Sequence, residues 1–381
     1  MTKGRPKLGT YLLSGLILIA ATSVPTLGSA ASVTSSPFGI KAAQLDGSGK
    51  YAIRGLNFKP GTATPGATTS PSPDPTSTPA PSSSPGTPAA PAYPTPTPEA
   101  EFTWSAEPDG GARLMTVRTV GKFTDLVIPQ TATVSGVSRT VTAINQLSLN
   151  SKGLTSVVIP DTVKTIGSYA FDGNKLTSVK IPSSLTAISD HVFSNNSLTS
   201  VTIPDTITSI SYSAFQTNLI SSVDLGSSVT SIGDSAFDHN ALTSLNLPSS
   251  VASIGYNSFS NNLIASLDLS ANKLTAIPDS AFRYNSLTSL KLPAGLKTIA
   301  NYAFLVNPNL PEVTIPAGVT SIGSYAFLGP KKIYMEGNAP TIVDAGSSNP
   351  SFGPASGKVI YYKAGATGFT SPWKGYTTAT Y

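Results

Sequence analysis

Apolar side chains return at fixed places along most of the chain after residue 123. The clearest marker is a phenylalanine that recurs every 22 or 23 residues, at Phe171, Phe193, Phe215, Phe237, Phe259, Phe282, Phe304 and Phe327. Six more apolar positions keep step with it, and in the first full repeat these are Leu154, Val157, Ile159, Val163, Ile166 and Ala170. So regular a period indicates one structural unit that is repeated and stacked.

Each repeat predicts one coil of a solenoid. Val157 and Ile159 alternate as in a short strand with inward side chains, and Pro160 ends it because proline cannot donate to a central ladder. Glycines that we expect to relax the backbone at a later bend stand at Gly167, Gly233, Gly255 and Gly323. One coil cannot bury its apolar groups, but stacked coils can. The predicted fold is an α/β-type repeat solenoid, mostly strand and coil, with eight leucine-rich repeats over residues 154–330.

An asparagine ladder accompanies the recurring phenylalanines. Three residues after each of seven phenylalanines stands an asparagine, at Asn174, Asn196, Asn218, Asn240, Asn262, Asn285 and Asn307. An asparagine at one place in every coil can hydrogen-bond backbone groups that a tight corner leaves unpaired. The alternative, a row of calcium or ligand sites, would need an accompanying column of carboxylates, which the repeats lack.

Both ends of the repeat array have features of caps. Residues 101–153 combine an incomplete first coil with a predicted hairpin, in which Phe102 and Trp104 face Leu114 and Val117 across Asp109–Gly111. Residues 331–381 are rich in aromatic side chains, at Tyr361, Tyr362, Phe369, Trp373, Tyr376 and Tyr381. We expect this tail to form a lid over the last coil.

The first hundred residues predict export and a spacer. Lys3, Arg5 and Lys7 precede a short apolar run at 11–21, and the small residues around Ala30 complete the pattern of a signal peptide over 1–30. The alternative, an uncleaved anchor, is less consistent with so short a run. Residues 31–58 form a short segment of unknown role, with a possible hairpin turn. Residues 59–100 hold thirteen prolines among Ser, Thr and Ala, which predicts a disordered linker.

Charge and cysteine content exclude several classes of protein. The net charge is +5 and falls to +2 without the three cations of the predicted signal peptide. Such a chain has no dense basic face for nucleic acid, so no nucleic-acid partner is expected. With no cysteine, the chain can form neither a disulfide framework nor a cysteine-ligated zinc site. After cleavage of the signal peptide no membrane-spanning segment is expected.

The sequence predicts no catalytic centre, no metal site and no cofactor. The two histidines, His191 and His239, occupy places that vary from coil to coil, which indicates tolerant surface positions rather than a serine–histidine pair. Asp224 and Asp268 share a repeat column about 10 Å apart by strand spacing. That distance would suit paired glycosidase carboxylates, but Asn246 lies between them and no aromatic platform flanks them.

The outward residues of the predicted strands form the candidate binding face. One column contains Ser156, Ser178, Ser200, Ser222, Ser244, Ser266, Ser289 and Glu312, and the other contains Val158, Lys180, Thr202, Asp224, Asn246, Asp268, Lys291 and Thr314. The face is polar, small and nearly uncharged, without the Tyr, Trp and Arg anchors of tight interfaces. It therefore predicts weak or multivalent binding, or binding through edges and caps, and its Ser/Thr array also allows an ice-binding or carbohydrate-binding surface.

The repeats resemble the BspA-like leucine-rich repeat proteins of bacterial surfaces, the Treponema pallidum type of repeat. The resemblance rests on I-P-x-x-V-x-x-I-G-x-x-A-F, as in Ile159–Phe171, and on the tail Tyr361–Trp373, and it covers roughly residues 101–381. Two repeats depart from the pattern, with Gly226 and Ser270 in place of the strand-ending proline. The family contains secreted and cell-surface proteins, several of them adhesins, so the resemblance implies extracellular protein binding.

Together these observations predict a secreted or surface-displayed module for protein interaction or adhesion, without enzymatic activity. Its partner would be an extracellular protein or glycan. The alternatives are a structural spacer of the cell envelope without a specific ligand, and a carbohydrate-binding accessory module.

Overall fold

A computed structural model describes residues 93–119, 121, 123–344 and 346–381, and the backbone of two short strands upstream. The chain divides into two compact units, Met1–Thr87 and Pro88–Tyr381. The described part of the first unit is an antiparallel pair of strands, β1 (Gln44–Leu45) and β2 (Tyr51–Ala52), on either side of the predicted turn. The predicted signal peptide and the proline-rich residues 59–92 lie outside the described residues.

The second unit opens with the predicted hairpin cap, which is confirmed. After a 3-10 helix, η1 (Glu99–Glu101), the strands β3 (Phe102–Ala106) and β4 (Ala112–Val117) pair antiparallel. A second hairpin, β6 (Thr131–Val134) with β7 (Val137–Ile144), accommodates the extra residues of the incomplete first coil. Because β4 also pairs with β7, the cap and the first coil share one sheet.

The folded unit begins upstream of residue 101, where the sequence predicts the linker to end. Thr97 is buried, its amide donates to the Val127 carbonyl at 2.9 Å, and its hydroxyl accepts from the Val127 amide at 3.1 Å. The hydroxyl of Tyr93 donates to the Ile128 carbonyl. Residues 93–100 therefore pair with the edge of the first coil and belong to the cap, not to the linker.

Most coils contribute short parallel strands to two faces of the solenoid, called the front sheet and the side sheet; on the front face, residues 178–180 and 244–246 form no strand. The front sheet contains β5 (Asp125–Val127), β8 (Ser156–Val158), β11 (Ser200–Thr202), β13 (Ser222–Asp224), β16 (Ser266–Asp268), β18 (Ser289–Lys291), β20 (Glu312–Ile315), β22 (Lys332–Met335), β24 (Val359–Tyr362) and β25 (Thr377–Thr380). The side sheet contains β9 (Thr165–Ile166), β10 (Ala187–Ile188), β12 (Ser209–Ile210), β14 (Ser231–Ile232), β15 (Ser253–Ile254), β17 (Ala276–Ile277), β19 (Thr298–Ile299), β21 (Ser321–Ile322) and β23 (Thr341–Ile342). Where strands pair, they do so one coil apart, as Ser200 does with Ser222. The front strands pair as β5–β8, β11–β13, β16–β18 and β20–β22–β24–β25, and the side strands as β10–β12–β14–β15 and β17–β19–β21–β23, with β9 beside β7. The predicted solenoid, mostly strand and coil, is confirmed, and the described residues contain no α-helix.

The eight phenylalanines of the repeat form one continuous stack inside the solenoid. Neighbouring rings lie 5.0–5.7 Å apart between centroids and within 17° of parallel. Each of the eight side chains is at most 1% exposed. The stack places one aromatic ring from every coil on the ring of the next, so the core runs the length of the repeats without interruption.

The seven asparagines join each coil to the one before it. In Asn262, Nδ2 donates to the carbonyls of Phe237 at 2.9 Å and Phe259 at 3.3 Å. Its Oδ1 accepts the amide of Leu242 at 3.0 Å. The same three kinds of bond recur at the other six positions. The amide therefore satisfies backbone groups that neither sheet can pair.

Two residues in each of the first seven coils adopt left-handed backbone conformations, one on each side of the phenylalanine, and the eighth coil has only the one before it. Residues two before Phe have φ between 47° and 60°, and residues two after it have φ between 52° and 69°. With this geometry three amides of one coil point to the next coil, as Tyr169 does to the Asp190 carbonyl at 3.0 Å and Phe171 to that of Val192 at 3.0 Å. The corner is thus a third ladder of hydrogen bonds between coils.

Glycine at the bend has a different role from the one predicted. Gly167 and Gly233 do not have positive φ, so the backbone there needs no unusual freedom. A Cβ on Gly167 would lie 2.4 Å from the Gln146 amide nitrogen, and one on Gly233 would lie 2.7 Å from the Ser211 carbonyl carbon. The glycines permit close approach of neighbouring coils.

Thr217 is expected to be a weak point of the corner. It is exposed, has φ of 55° and is β-branched, a combination that disfavours the left-handed region. Asparagine tolerates this region, and Asn195 and Asn261 hold the equivalent place in other coils. We expect Thr217→Asn to raise the free energy of unfolding by about 1 kcal/mol in denaturant titration.

The matched control for that substitution is Thr199→Asn, at an exposed position without positive φ. Thr199→Asn should leave the free energy of unfolding unchanged or lower it slightly. Equal effects of the two substitutions would show that the left-handed conformation is not the source of the gain.

The C-terminal tail continues the solenoid before it closes it. Strands β22, β24 and β25 extend the front sheet in parallel register. Phe352 lengthens the ring stack, 6.1 Å from Phe327, and Tyr376 then meets Phe352 edge-on at 81°. The buried Tyr376 hydroxyl donates to the Gly353 carbonyl at 2.8 Å. The predicted aromatic cap is confirmed, but it starts later in the tail than expected.

A lysine replaces the asparagine where Pro330 interrupts the ladder. Lys358 is 7% exposed, and its Nζ donates to the carbonyls of Pro330 at 2.6 Å and Leu328 at 3.1 Å. Burial lowers the pKa of the Lys358 ammonium, and nearby Lys331 acts in the same direction. The last corner therefore satisfies its carbonyls with a side chain from the tail.

Candidate functional site

Twelve of the sixteen residues of the predicted binding face lie on strands of the front sheet, whereas Ser178, Lys180, Ser244 and Asn246 lie in coils without a strand there. Fourteen are exposed, while Ser156 and Val158 are half-buried against the first coil. Equivalent residues of paired strands lie side by side, since Ser266 pairs with Ser289 and Asp268 with Lys291. The structure thus brings the two columns together as two straight rows of mostly small polar side chains.

The charges on this face are largely neutralised in pairs. Lys180 contacts Asp161 at 2.6 Å, and Lys291 contacts Asp268 at 2.8 Å. The Lys291 ammonium, with the hydroxyl and amide of Ser270, holds the pKa of the Asp268 carboxyl well below its usual range. The face therefore has little net field with which to attract a charged ligand.

The shared column of Asp224 and Asp268 has a structural explanation. These aspartates lie in the two coils that have Gly226 and Ser270 in place of the strand-ending proline. Asp224 accepts the Gly226 amide at 3.1 Å, and Asp268 accepts the Ser270 amide at 3.0 Å. Each aspartate satisfies the N–H that proline would lack, and the depressed pKa of Asp268 is the reverse of what a general acid needs.

His191 lies close to a serine and an aspartate, but the three are not ordered as a catalytic triad. The Ser194 hydroxyl is 3.5 Å from His191 Nδ1 and donates to Asp172 at 2.5 Å. Ser194 is fully buried, and burial lowers the pKa of His191, an effect that Asp172 and Asp190 partly oppose. In a triad the histidine stands between the serine and the acid, whereas here the serine bonds the acid directly and has no access to substrate.

His239 forms an ion pair at the same corner of another coil. Its Nδ1 lies 2.9 Å from Asp238, whose carboxylate also accepts from Gln216 and Asn261. The hydrogen bond from Asp238 raises the pKa of His239 against the effect of burial. Burial raises the pKa of Asp238, but these hydrogen bonds outweigh it and leave that pKa below its usual value. The pair stabilises the corner.

A row of aromatic side chains follows the phenylalanine corner on its outer side, with Tyr212 and Tyr256 exposed and the others half-buried. This aromatic row consists of Tyr169, His191, Tyr212, Tyr256, Tyr302 and Tyr325, and the coils of Phe237 and Phe282 have no member in it. His191 stacks on Tyr169 at 4.3 Å and meets Tyr212 edge-on at 4.9 Å. Sequence reasoning missed this row because its members alternate between two neighbouring repeat positions. The available signal was the number of tyrosines two or three residues before the phenylalanine.

Part of the aromatic row occupies backbone positions that disfavour large side chains. Tyr169, His191, Tyr302 and Tyr325 have φ between 47° and 60°. Ser, or Asn as at Asn257, occupies the same place in the other coils, and asparagine adopts this conformation at lower cost. Aromatic residues in four of the eight coils are therefore not explained by backbone stability.

The front sheet also has aromatic side chains, in the coils beyond the predicted face. Its columns continue from Thr314 to Tyr334 and then to Tyr361, whose rings stack at 5.0 Å. Tyr381 meets Tyr334 edge-on at 5.5 Å, and its hydroxyl donates to Glu336 at 2.9 Å. The expectation that all tail aromatics cover the last coil is wrong for Tyr361 and Tyr381, which contact Tyr334 on the outer side of the sheet.

Within the described residues, no group of three or more His, Cys, Asp or Glu side chains is placed to hold a metal ion. The same part of the chain contains no helix long and apolar enough to span a bilayer.

Comparison with known proteins agrees with the repeat geometry. The family model of the BspA type leucine rich repeat region matches six copies, over residues 142–265 and 208–334, which together span half of the chain. The chain belongs to this family. The matched residues of this BspA-type protein contain most of the phenylalanine stack and most of the aromatic row. A comparison with curated proteins finds no match.

Several solved structures are similar to this BspA-type protein. A leucine-rich repeat protein from Bacteroides ovatus is 18% identical, with 73% of this chain and 74% of that chain covered and a TM-score of 0.45. The pneumococcal vaccine antigen PcpA is 19% identical, with coverage of 69% and 92% and a TM-score of 0.39. A leucine rich cell surface protein from Faecalibacterium prausnitzii is 21% identical, with coverage of 61% and 92% and a TM-score of 0.34.

Proposed function

We propose that this BspA-type protein is an exported, non-catalytic interaction module that binds an extracellular protein through the aromatic row. The observation that supports the proposal is the exposure of that row on a rigid solenoid. Tyr212 is 50% exposed and Tyr256 is 58% exposed. Tyrosine supplies large contact area at low entropic cost, which is why it dominates many protein interfaces.

The row is held in place before any ligand arrives. His191 is held between Tyr169 and Tyr212, the rings of Tyr302 and Tyr325 lie 6.3 Å apart, and the Arg283 guanidinium lies 6.0 Å from the Tyr302 ring centroid. These contacts limit the rotamers of the aromatic side chains, so less entropy is lost on binding. Because the row repeats along the coils, it suits an extended or repetitive protein surface.

The predicted binding face is the weaker candidate for a protein ligand. Its side chains are mostly Ser and Thr, and its two lysines are each paired with an aspartate. Such a surface offers few of the buried anchors that dominate interface energies. We therefore assign the main contact to the corner and leave the front sheet a secondary role. Export through residues 1–30 and display at the cell surface are part of the same proposal.

The proposal is tested by binding of the purified protein to immobilised matrix glycoproteins, measured by surface plasmon resonance. We expect saturable binding that survives moderate salt, because the row is aromatic and nearly uncharged. The double substitution Tyr212→Ala and Tyr256→Ala should weaken binding at least about tenfold. Both side chains are exposed, so the solenoid should keep its unfolding midpoint.

The matched control is Tyr334→Ala, a tyrosine on the front sheet, which should leave protein binding unchanged. Equal loss in both variants would contradict the assignment of the row. Absence of binding to any matrix glycoprotein or to whole host cells would favour the structural spacer, a component of the envelope without a specific ligand.

A further inference from the structure

We propose that the groove at the C-terminal end of the front sheet binds a neutral oligosaccharide, with one sugar ring packed against Tyr334. This site goes beyond the protein-binding role proposed above and lies on a different surface. The proposal depends on the shape of the groove, on the half-buried tyrosine at its edge and on the charges of the groove lining.

The groove crosses the ends of several front-sheet strands. It has a volume of about 490 Å³ and is lined in part by Leu292, Ala294, Pro316 and Ala317. This volume lies in the range of small-molecule pockets, roughly 300–1,000 Å³. The apolar lining arises from Ala294 and Ala317, which lie where earlier coils have Asp or Ser after the strand-ending proline. The opening is therefore specific to these coils.

Tyr334 stands next to the groove. Its Cα partner on one side is Tyr361, whose ring covers one face of Tyr334 at 5.0 Å. Its partner on the other side is Thr314, which lines the groove and is too small to cover the second face. An aromatic face beside an apolar groove suits a pyranose ring, which presents its C–H groups on one face and its hydroxyls at the rim.

Hydrogen-bonding groups surround this surface in fixed positions. Glu336 lines the groove, and its carboxylate is held by the Tyr381 hydroxyl at 2.9 Å and by the Lys363 ammonium. Lys291 lines the opposite part and is paired with Asp268 at 2.8 Å. Fixed carboxylates and ammonium groups can accept from and donate to sugar hydroxyls without large rearrangement.

The balance of charge decides which glycan fits. The charged residues that line the groove are Lys291 and Glu336, and each is paired with a residue of opposite charge, so the lining itself presents no unpaired charge. A sulfated or sialylated glycan would find no net positive field, whereas a neutral glycan needs none. The chemistry therefore favours a neutral oligosaccharide over an acidic one.

The test uses the purified protein with cellohexaose, chitohexaose and mannohexaose as neutral probes and a hyaluronan hexasaccharide as the acidic comparator. Binding is measured by isothermal titration calorimetry. We expect saturable binding of at least one neutral probe and none of hyaluronan. Tyr334→Ala should weaken that binding about tenfold, the change expected on loss of one aromatic contact, while Tyr334→Phe should retain it.

Tyr212→Ala is the matched control, because it removes an exposed tyrosine from the aromatic row. It should leave glycan affinity unchanged, so a failure of the protein-binding proposal does not affect this test. The proposal would be overturned if none of the three neutral probes bound, or if the protein preferred hyaluronan. It would also be overturned if the Tyr334→Ala variant bound the neutral probe as tightly as the parent protein. If Tyr334→Phe lowered the glycan affinity as far as Tyr334→Ala does, that result would also contradict ring stacking.

Discussion

Replacing Phe237 with alanine should lower the free energy of unfolding by about 3–5 kcal/mol. Phe237 is fully buried and stacks on Phe215 at 5.2 Å and on Phe259 at 5.7 Å. The substitution leaves a void between two rings that the hydrogen-bonded coils hold apart, so collapse cannot fill it. Equilibrium unfolding in denaturant, followed by circular dichroism, measures the loss.

Tyr256→Ala provides the control for that experiment. It removes an aromatic ring of similar size from the neighbouring coil, but Tyr256 is 58% exposed and lies outside the stack. Its loss should change stability by less than about 1 kcal/mol, as is usual for surface substitutions. If both alanine variants unfolded at the same denaturant concentration, the phenylalanine stack would not be the main core of the solenoid.

Asn262→Ala should lower the free energy of unfolding by about 3 kcal/mol, because it leaves several buried backbone groups without partners. The carbonyls of Phe237 and Phe259 lose their donor, and the Leu242 amide loses its acceptor. Asn262 is only 4% exposed, so water has poor access to these groups. Chemical denaturation of the variant and the parent protein measures the difference.

Asn262→Asp separates the role of the donors from that of side-chain size. Aspartate has the same shape and can still accept the Leu242 amide, but as a carboxylate it cannot donate to the two carbonyls. We expect it to be at least as destabilising as alanine at neutral pH. A fully stable aspartate variant would show that the ladder contributes by shape rather than by its amide donors.

The fold could be predicted largely from the sequence because the repeat fixes which side chains face inward. One period places Phe171 and Ile159 on the same inner surface in every coil, and no other arrangement buries them all. The asparagine ladder was also open to prediction, since Asn262 and its equivalents hold a constant offset from phenylalanine. The left-handed residues that flank the phenylalanines could not be predicted, because Tyr, His, Ser, Thr and Val at those places do not favour positive φ.

The candidate sites were harder to predict, for physical reasons. The aromatic row alternates between two neighbouring positions, as in Tyr169 and Tyr212, so no single column shows it. Tyr334 and Tyr361 follow the last regular repeat, where the spacing changes and the register cannot be continued by counting. The two aspartates in one column resembled the carboxylate pair of an active site. In the structure, Asp224 and Asp268 each accept the backbone N–H that is present because their coils lack the strand-ending proline. A side chain that compensates for a local backbone change can therefore resemble a functional column.

The asparagine bridge between successive coils has a consequence for how proteins of this design change in length. Every bridge uses the same two carbonyls and one amide, whichever coils it joins. Duplication of one whole coil by recombination would therefore leave all hydrogen bonds satisfied at both new junctions, and the terminal caps would need no alteration. Each added coil would also supply one more place in the aromatic row. The number of contacts with a repetitive partner can therefore increase by one for each added coil, while the chemistry of each contact stays the same.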